Sequence, residues 1–202
     1  MKKNCAVLAA AALSCAVLAG CGQKQTGTWN ANENSIYVTK DLGVESAMVY
    51  TSDKPNELYM EEGLASYAEE AVTSYNTEHG GAAAFENEKD QEKLPAALKS
   101  CSLEGQTGKL VFEYGTAEDF VSFSTENGDN THSITGLFVG TAAELAGDME
   151  GMTFSTAAGK DAELASITGD SKNKAVIVEG AGTVYVEGGV AFVTGQQCGD
   201  YT

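Results

Sequence analysis

Lys109-Leu110-Val111-Phe112-Glu113-Tyr114-Gly115-Thr116-Ala117-Glu118-Asp119-Phe120-Val121-Ser122-Phe123 changes its apolar period halfway along. In the first half, Leu110, Phe112 and Tyr114 alternate with Val111 and Glu113, the two-residue period of a strand with one buried face. In the second half, Thr116 followed three residues later by Asp119 has the spacing of a capping box, in which each side chain satisfies a donor at the helix end. Phe120, Val121 and Phe123 then give a helix its apolar side, and Asn127-Gly128 stops it. A strand feeding directly into a capped helix is thus the unit around which the chain is organised.

Working outward, Leu98–Glu104 and Lys109–Tyr114 read as a hairpin around Gly105 and Gly108. Upstream, Ile36 and Val38 alternate with Tyr37 and Thr39, and Met48 and Tyr50 with Val49, giving two strands joined around Asp41-Leu42-Gly43. Pro55-Asn56-Glu57 opens a long helix, because proline is preorganised for a first turn. Leu64, Ala68, Ala71 and Tyr75 form its apolar stripe, and Gly80-Gly81 ends it. Downstream, Ile134–Val139 is a strand, and Thr141 with Glu144 caps a short helical turn. Residues 152–154, 175–178, 183–186 and 190–193 read as short strands punctuated by Gly180, Gly182, Gly188 and Gly189. Residues 160–174 fit neither period. Hairpins alternating with helices favour an α+β fold: an antiparallel sheet with two main helices packed on one face, and short glycine-punctuated strands toward the C-terminus.

The N-terminus is of a different kind. Lys2 and Lys3 precede a run of apolar and small residues from Cys5 to Ala19, broken only by Ser14. A membrane-spanning helix needs about 20 apolar residues, so this run fits the core of a secretory leader instead. Leu18-Ala19-Gly20-Cys21 closes it and resembles the lipobox of bacterial lipoproteins at all four positions. That resemblance implies diacylglycerol on the Cys21 sulfur and cleavage by signal peptidase II between Gly20 and Cys21. Palmitate-class acyl chains, two or more, suffice for stable anchoring at the outer face of a cell membrane. The expected organisation is a leader over 1–20, a lipidated cysteine and polar tether over 21–34, and one α+β domain over 35–202. The mature part resembles uncharacterised lipoproteins of clostridia-like Gram-positive gut bacteria. The likeness is carried by the early hairpin, the Tyr59–Asn76 helix, Lys109–Tyr114 with its capped helix, and Gly136-Leu137-Phe138-Val139-Gly140-Thr141. It implies surface anchoring and transfers no catalytic residue.

Loss of Lys2 and Lys3 with the leader takes the formal charge from −17 to −19, and the chain has no arginine. Nucleic-acid binding runs on basic patches, so that class is excluded. An acidic surface is also repelled by anionic lipid, which leaves the acyl anchor as the membrane contact. Cys101 and Cys198 remain as an even pair, and in an exported domain such a pair permits a disulfide.

Searching for chemistry yields no assembled set. His79 precedes Gly80-Gly81, but no GxSxG elbow accompanies it, and at a helix end it is a cation near the negative dipole terminus. His132 stands in a polar loop. Ser171 and Lys174 have SxxK spacing without its partner motifs. Glu126–Asp129 lacks the residue order of a calcium loop. No catalytic residue, metal ligand or cofactor is therefore expected. The leading expectation is a non-enzymatic binding or structural module of the cell envelope, with an unidentified protein or small molecule as partner. Two alternatives remain open: a small substrate-binding lipoprotein of a transport system, for which 182 mature residues are few, and a small envelope hydrolase using Cys101 or a carboxylate pair.

Overall fold

The computed structural model describes residues 6–8, 14–18, 29–54, 60–81, 83–87, 93–156 and 158–194. The content is mixed, with antiparallel strands predominating over three helices among the described residues. No helix among them is long and apolar enough to cross a membrane. Contacts divide the chain into two compact units where one domain over 35–202 was expected.

The first unit comprises residues 30–36 and 43–131. After β3 (Ser35–Val38), which straddles the two units, its elements are β4 (Val44–Thr51), α1 (Glu61–His79), β5 (Ala96–Glu104), β6 (Thr107–Tyr114) and α2 (Ala117–Glu126). β6 pairs antiparallel with β4 on one side and β5 on the other. The β5–β6 turn is two residues long, and Gly105 stands at its first position with φ 61°, where a side chain would be strained. Gly108 belongs to β6 and not to the turn. A Cβ there would come within 2.9 Å of Leu64 Cδ2, so the glycine lets α1 approach the sheet closely.

The stretch forms the expected strand and capped helix, but the strand is buried on both faces at Val111. Leu110, Phe112 and Tyr114 are buried, and Val111 is buried as well. Thr116 Oγ1 accepts from the Asp119 N–H at 3.1 Å and donates to Asp119 Oδ2 at 2.7 Å. Phe123 packs its ring 5.2 Å from Phe112 and 5.4 Å edge-on to Tyr75 of α1, while Phe120 lies 5.4 Å from Tyr114. On α1 the buried residues are Ala68, Val72, Tyr75 and Asn76, so Val72 takes the place expected for Ala71. Met60 is the N-cap residue and makes no side-chain cap bond; Pro55, the expected opening, lies outside the described residues.

Asn76 was not foreseen as an interior residue. Its Nδ2 donates to the carbonyls of Ala83 at 2.7 Å and Ala96 at 2.8 Å, and its Oδ1 accepts from the Ala96 N–H at 2.9 Å. The helix then ends at Gly80, φ 104°. Of the expected tether, residues 30–34 are docked: Asn34 Oδ1 accepts from the Val49 N–H at 2.6 Å, and Ala31 is buried.

The second unit comprises residues up to 29, 37–42 and 132 onward. It contains β7 (Gly136–Thr141), β8 (Phe154–Thr156), β9 (Asp161–Ala162), α3 (Leu164–Thr168), β10 (Lys174–Glu179), β11 (Gly182–Val186) and β12 (Val190–Thr194). The stretch 160–174, which fitted neither period, supplies β9 and α3. Two strands of the first twenty residues also belong here. The backbone of β1 (Ala6–Leu8) pairs with β11, and that of β2 (Ser14–Leu18) lies between β10 and β12 in the order β7-β10-β2-β12-β8-β9. Two segments of the expected leader, 6–8 and 14–18, thus pair as strands in the uncut chain. Ala142, Met149, Phe154, Ile167, Ala175 and Ile177 form the core of this unit. Thr141 and Glu144 make the expected reciprocal cap, with Thr141 N–H donating to Glu144 Oε2 at 2.9 Å and Glu144 N–H to Thr141 Oγ1 at 3.2 Å. The Thr141 N–H, and then the Thr141 hydroxyl donating to the same Oε2 at 2.7 Å, hold the Glu144 carboxyl below its ordinary range. Trp29 stacks on Tyr37 with ring centroids 5.0 Å apart, so this tryptophan, within the expected tether, is docked too.

Candidate functional site

Three places in the first unit gather polar or exposed apolar chemistry, and α1 relates them. Along its first half, Glu61 Oε2 accepts from the Leu103 N–H at 3.0 Å, which lays that edge of the helix against β5. The half-buried Cys101 thiol stands free on the same strand. Its pKa is raised by burial first, and then by the negative charges of Glu61 and Glu69. A thiol so placed is held away from the nucleophilic thiolate form. Cys198, its expected disulfide partner, lies outside the described residues, as do Gly20 and Cys21.

The opposite edge of the same half of α1 carries Met60 and Tyr67, one two-turn repeat apart and therefore on one side of the helix. They are 57% and 58% exposed. In the sheet, β4 flanks β6 on the side away from β5. There Tyr50, 71% exposed, stands directly across from Gly108 and so on the sheet face that Leu64 approaches. Two tyrosines and a methionine thus stand in water, Tyr50 and Met60 toward the hairpin end of the sheet and Tyr67 two turns along α1. Exposed apolar residues are ordinary when scattered; a group at one end of a domain is what binding surfaces show.

The third place is at the far end of α1. His79 is its last residue, ten positions beyond Glu69, which is about 15 Å along the axis. Cys101 and His79 are therefore not a nucleophile–base pair. His79 stacks on Tyr75, with ring centroids 4.1 Å apart and planes 24° apart. Its Nε2 lies 3.1 Å from Oε1 of Glu126, the last residue of α2. Glu78 completes the group: one ligand atom from each of Glu78, His79 and Glu126 lies within 4.8 Å of the other two. Below them, the Tyr75 hydroxyl donates at 3.3 Å to both the carbonyl oxygen and Oδ1 of Asp119. Burial, and then the Asp119 charge, push its pKa up to about 12.

The remaining expected sites are separate from these. His132 Nδ1 accepts from the Ile134 N–H at 3.0 Å and shapes its loop. Lys174 Nζ donates to the Lys40 carbonyl oxygen rather than to Ser171. Asp129 Oδ1 closes a short turn by accepting from the Thr131 N–H at 2.8 Å, and Glu126, read as part of the same loop, ends a helix instead. The approach of His79 to Glu126 had no signal in the sequence, since 47 positions separate them. Compared with known proteins, the chain matches no family model, no curated protein and no solved structure.

Proposed function

We propose that the chain is an extracytoplasmic lipoprotein, held on the outer face of a cell membrane by acyl chains on Cys21, whose folded part acts as a non-enzymatic binding module. The observation that carries the anchor is Leu18-Ala19-Gly20-Cys21 at the end of a short apolar run behind two lysines. The binding role is supported by Tyr50, Met60 and Tyr67, exposed side chains of the kinds enriched at recognition surfaces. In this reading α1 and α2 cover the same face of the β4-β6-β5 sheet. The aromatic contacts linking Tyr75, Phe123 and Phe112 support that arrangement. The first half of α1 covers the hairpin end at Leu103 and Gly108, and Tyr50, Met60 and Tyr67 stand exposed beside it for a partner. The strongly acidic surface keeps the domain off anionic headgroups and the partner within reach.

Intact mass of the protein extracted from a producing cell's envelope tests the anchor. The expected species begins at Cys21 and carries a diacylglyceryl group, and Cys21→Ser should retain residues 1–20 and stay unlipidated. Recovery of an unmodified chain that still contains residues 1–20 from wild-type cells would overturn the proposal. For the binding surface, Tyr50→Ser with Tyr67→Ser should change stability by less than about 0.5 kcal/mol each, as exposed positions do. The same double variant should lose the cross-linked partner that the wild-type chain retains in the envelope.

A further inference from the structure

We propose that Glu78, His79 and Glu126 form a binding site for one divalent transition-metal ion of the zinc class, clasping the C-terminal ends of α1 and α2. The donor atoms of the three side chains lie within 4.8 Å of one another. Around a tetrahedral ion with bonds of about 2.1 Å, neighbouring donors stand about 3.4 Å apart. The His79 Nε2 to Glu126 Oε1 separation, 3.1 Å, is already close to that, and a Glu78 carboxylate oxygen lies within 4.8 Å of both. One imidazole nitrogen with two carboxylates suits zinc-class ions, whereas calcium and magnesium prefer oxygen donors.

Two further features favour a cation here. First, the electrostatics of the helix ends are otherwise adverse. Both helices direct the negative end of their dipoles to this spot. α2 has no basic residue in its last turn and finishes on a carboxylate, and α1 offers only His79 against Glu78. A double positive charge offsets two carboxylates and two helix termini at once. Second, the imidazole is held in place. It lies flat on Tyr75, and the Tyr75 hydroxyl is tied to Asp119 on the first turn of α2. A ligand whose ring is already oriented loses little freedom on binding. Three protein donors leave the fourth position of a tetrahedral ion open to water or to a group on a partner.

The test is a zinc titration of the processed, lipidated chain in detergent after dialysis against chelator, followed by calorimetry. The expected result is one zinc ion per chain. His79→Gln and Glu126→Gln should each weaken binding at least about tenfold, since even changes outside the ligand shell cost that much at metal sites. Glu70→Gln, an exposed acid elsewhere on α1, should leave it unchanged. Cobalt should give the visible absorption of a four-coordinate site in the wild type and lose it in His79→Gln. All three substituted positions are exposed, so the variants fold, which circular dichroism checks. Three results would each overturn the proposal: no zinc binding, binding equal in wild type and both ligand variants, or calcium binding as tightly as zinc. The last would mean only that cations gather on an acidic surface.

Discussion

Phe112 is the residue on which the first unit depends most. It is buried within β6 and touches Phe123, which in turn meets Tyr114 and Tyr75. Phe112→Ala removes a ring from this cluster and should cost about 3–5 kcal/mol in a urea melt. Glu70→Ala, on the exposed side of α1, should change stability by less than about 0.5 kcal/mol. If the two variants melt alike, the β6 register is wrong. The two buried phenols of the cluster set a second expectation. Tyr114 bonds to Ser46 Oγ at 2.8 Å, and burial raises its pKa; that of Tyr75 is pushed up to about 12 by burial and by Asp119. The folded chain therefore holds both protons through a pH range where the unfolded chain releases them near 10. Because the native state binds more protons there, stability falls as pH rises above about 10. Ultraviolet titration should show these two phenolates appearing only with unfolding. Ionisation of all tyrosines near pH 10 while the fold persists would contradict it.

Among elements, α1 shows where pattern ends and tertiary contact begins. Its stripe was legible because apolar residues recur at helical spacing, and the stretch 109–123 was legible because both its periods and its cap are local. Asn76 was not. A polar residue beside a helix end reads as solvated, and only the distant Ala83 and Ala96 backbone groups make it an interior one. The same reason hid the meeting of His79 with Glu126 and the pairing of Tyr50 with Gly108: each depends on folding that no local period encodes. The buried face runs through Ala68, Val72, Tyr75 and Asn76 at helical spacing, and that phase leaves Ala71 half-buried at its rim. Asn76→Ala should be costly for a small exposed-looking change. It strips partners from a buried N–H and two carbonyls, at about 1–3 kcal/mol for each group left unsatisfied. A melt of Asn76→Ala less than about 1 kcal/mol below wild type would show that water or a shifted loop replaces the amide.

For the whole molecule, the decisive question is what becomes of residues 1–20. In the uncut chain β2 is an interior strand. Lys174–Val178 pairs with it on one side, and Val190, Phe192 and Val193 on the other. Cleavage before Cys21 removes that strand, so processing and the six-stranded sheet of the second unit cannot coexist. After removal, β10 keeps β7 and β12 keeps β8, while the two edges that held β2 lose their backbone partners. Each lost hydrogen bond is worth about 1 kcal/mol, or roughly a fivefold change in an opening equilibrium. Amide exchange should therefore quicken by about that factor or more at residues 174–178 and 190–193 in the processed chain, relative to an uncut Cys21→Ser chain. The amides of Gly136–Thr141, paired to the other edge of β10, provide the internal reference and should stay protected. Equal protection of residues 190–193 in both chains would mean that β2 does not hold that edge. Cells that accumulate only the uncut chain would make residues 14–18 a permanent strand, and the anchor at Cys21 would then have no place in this protein.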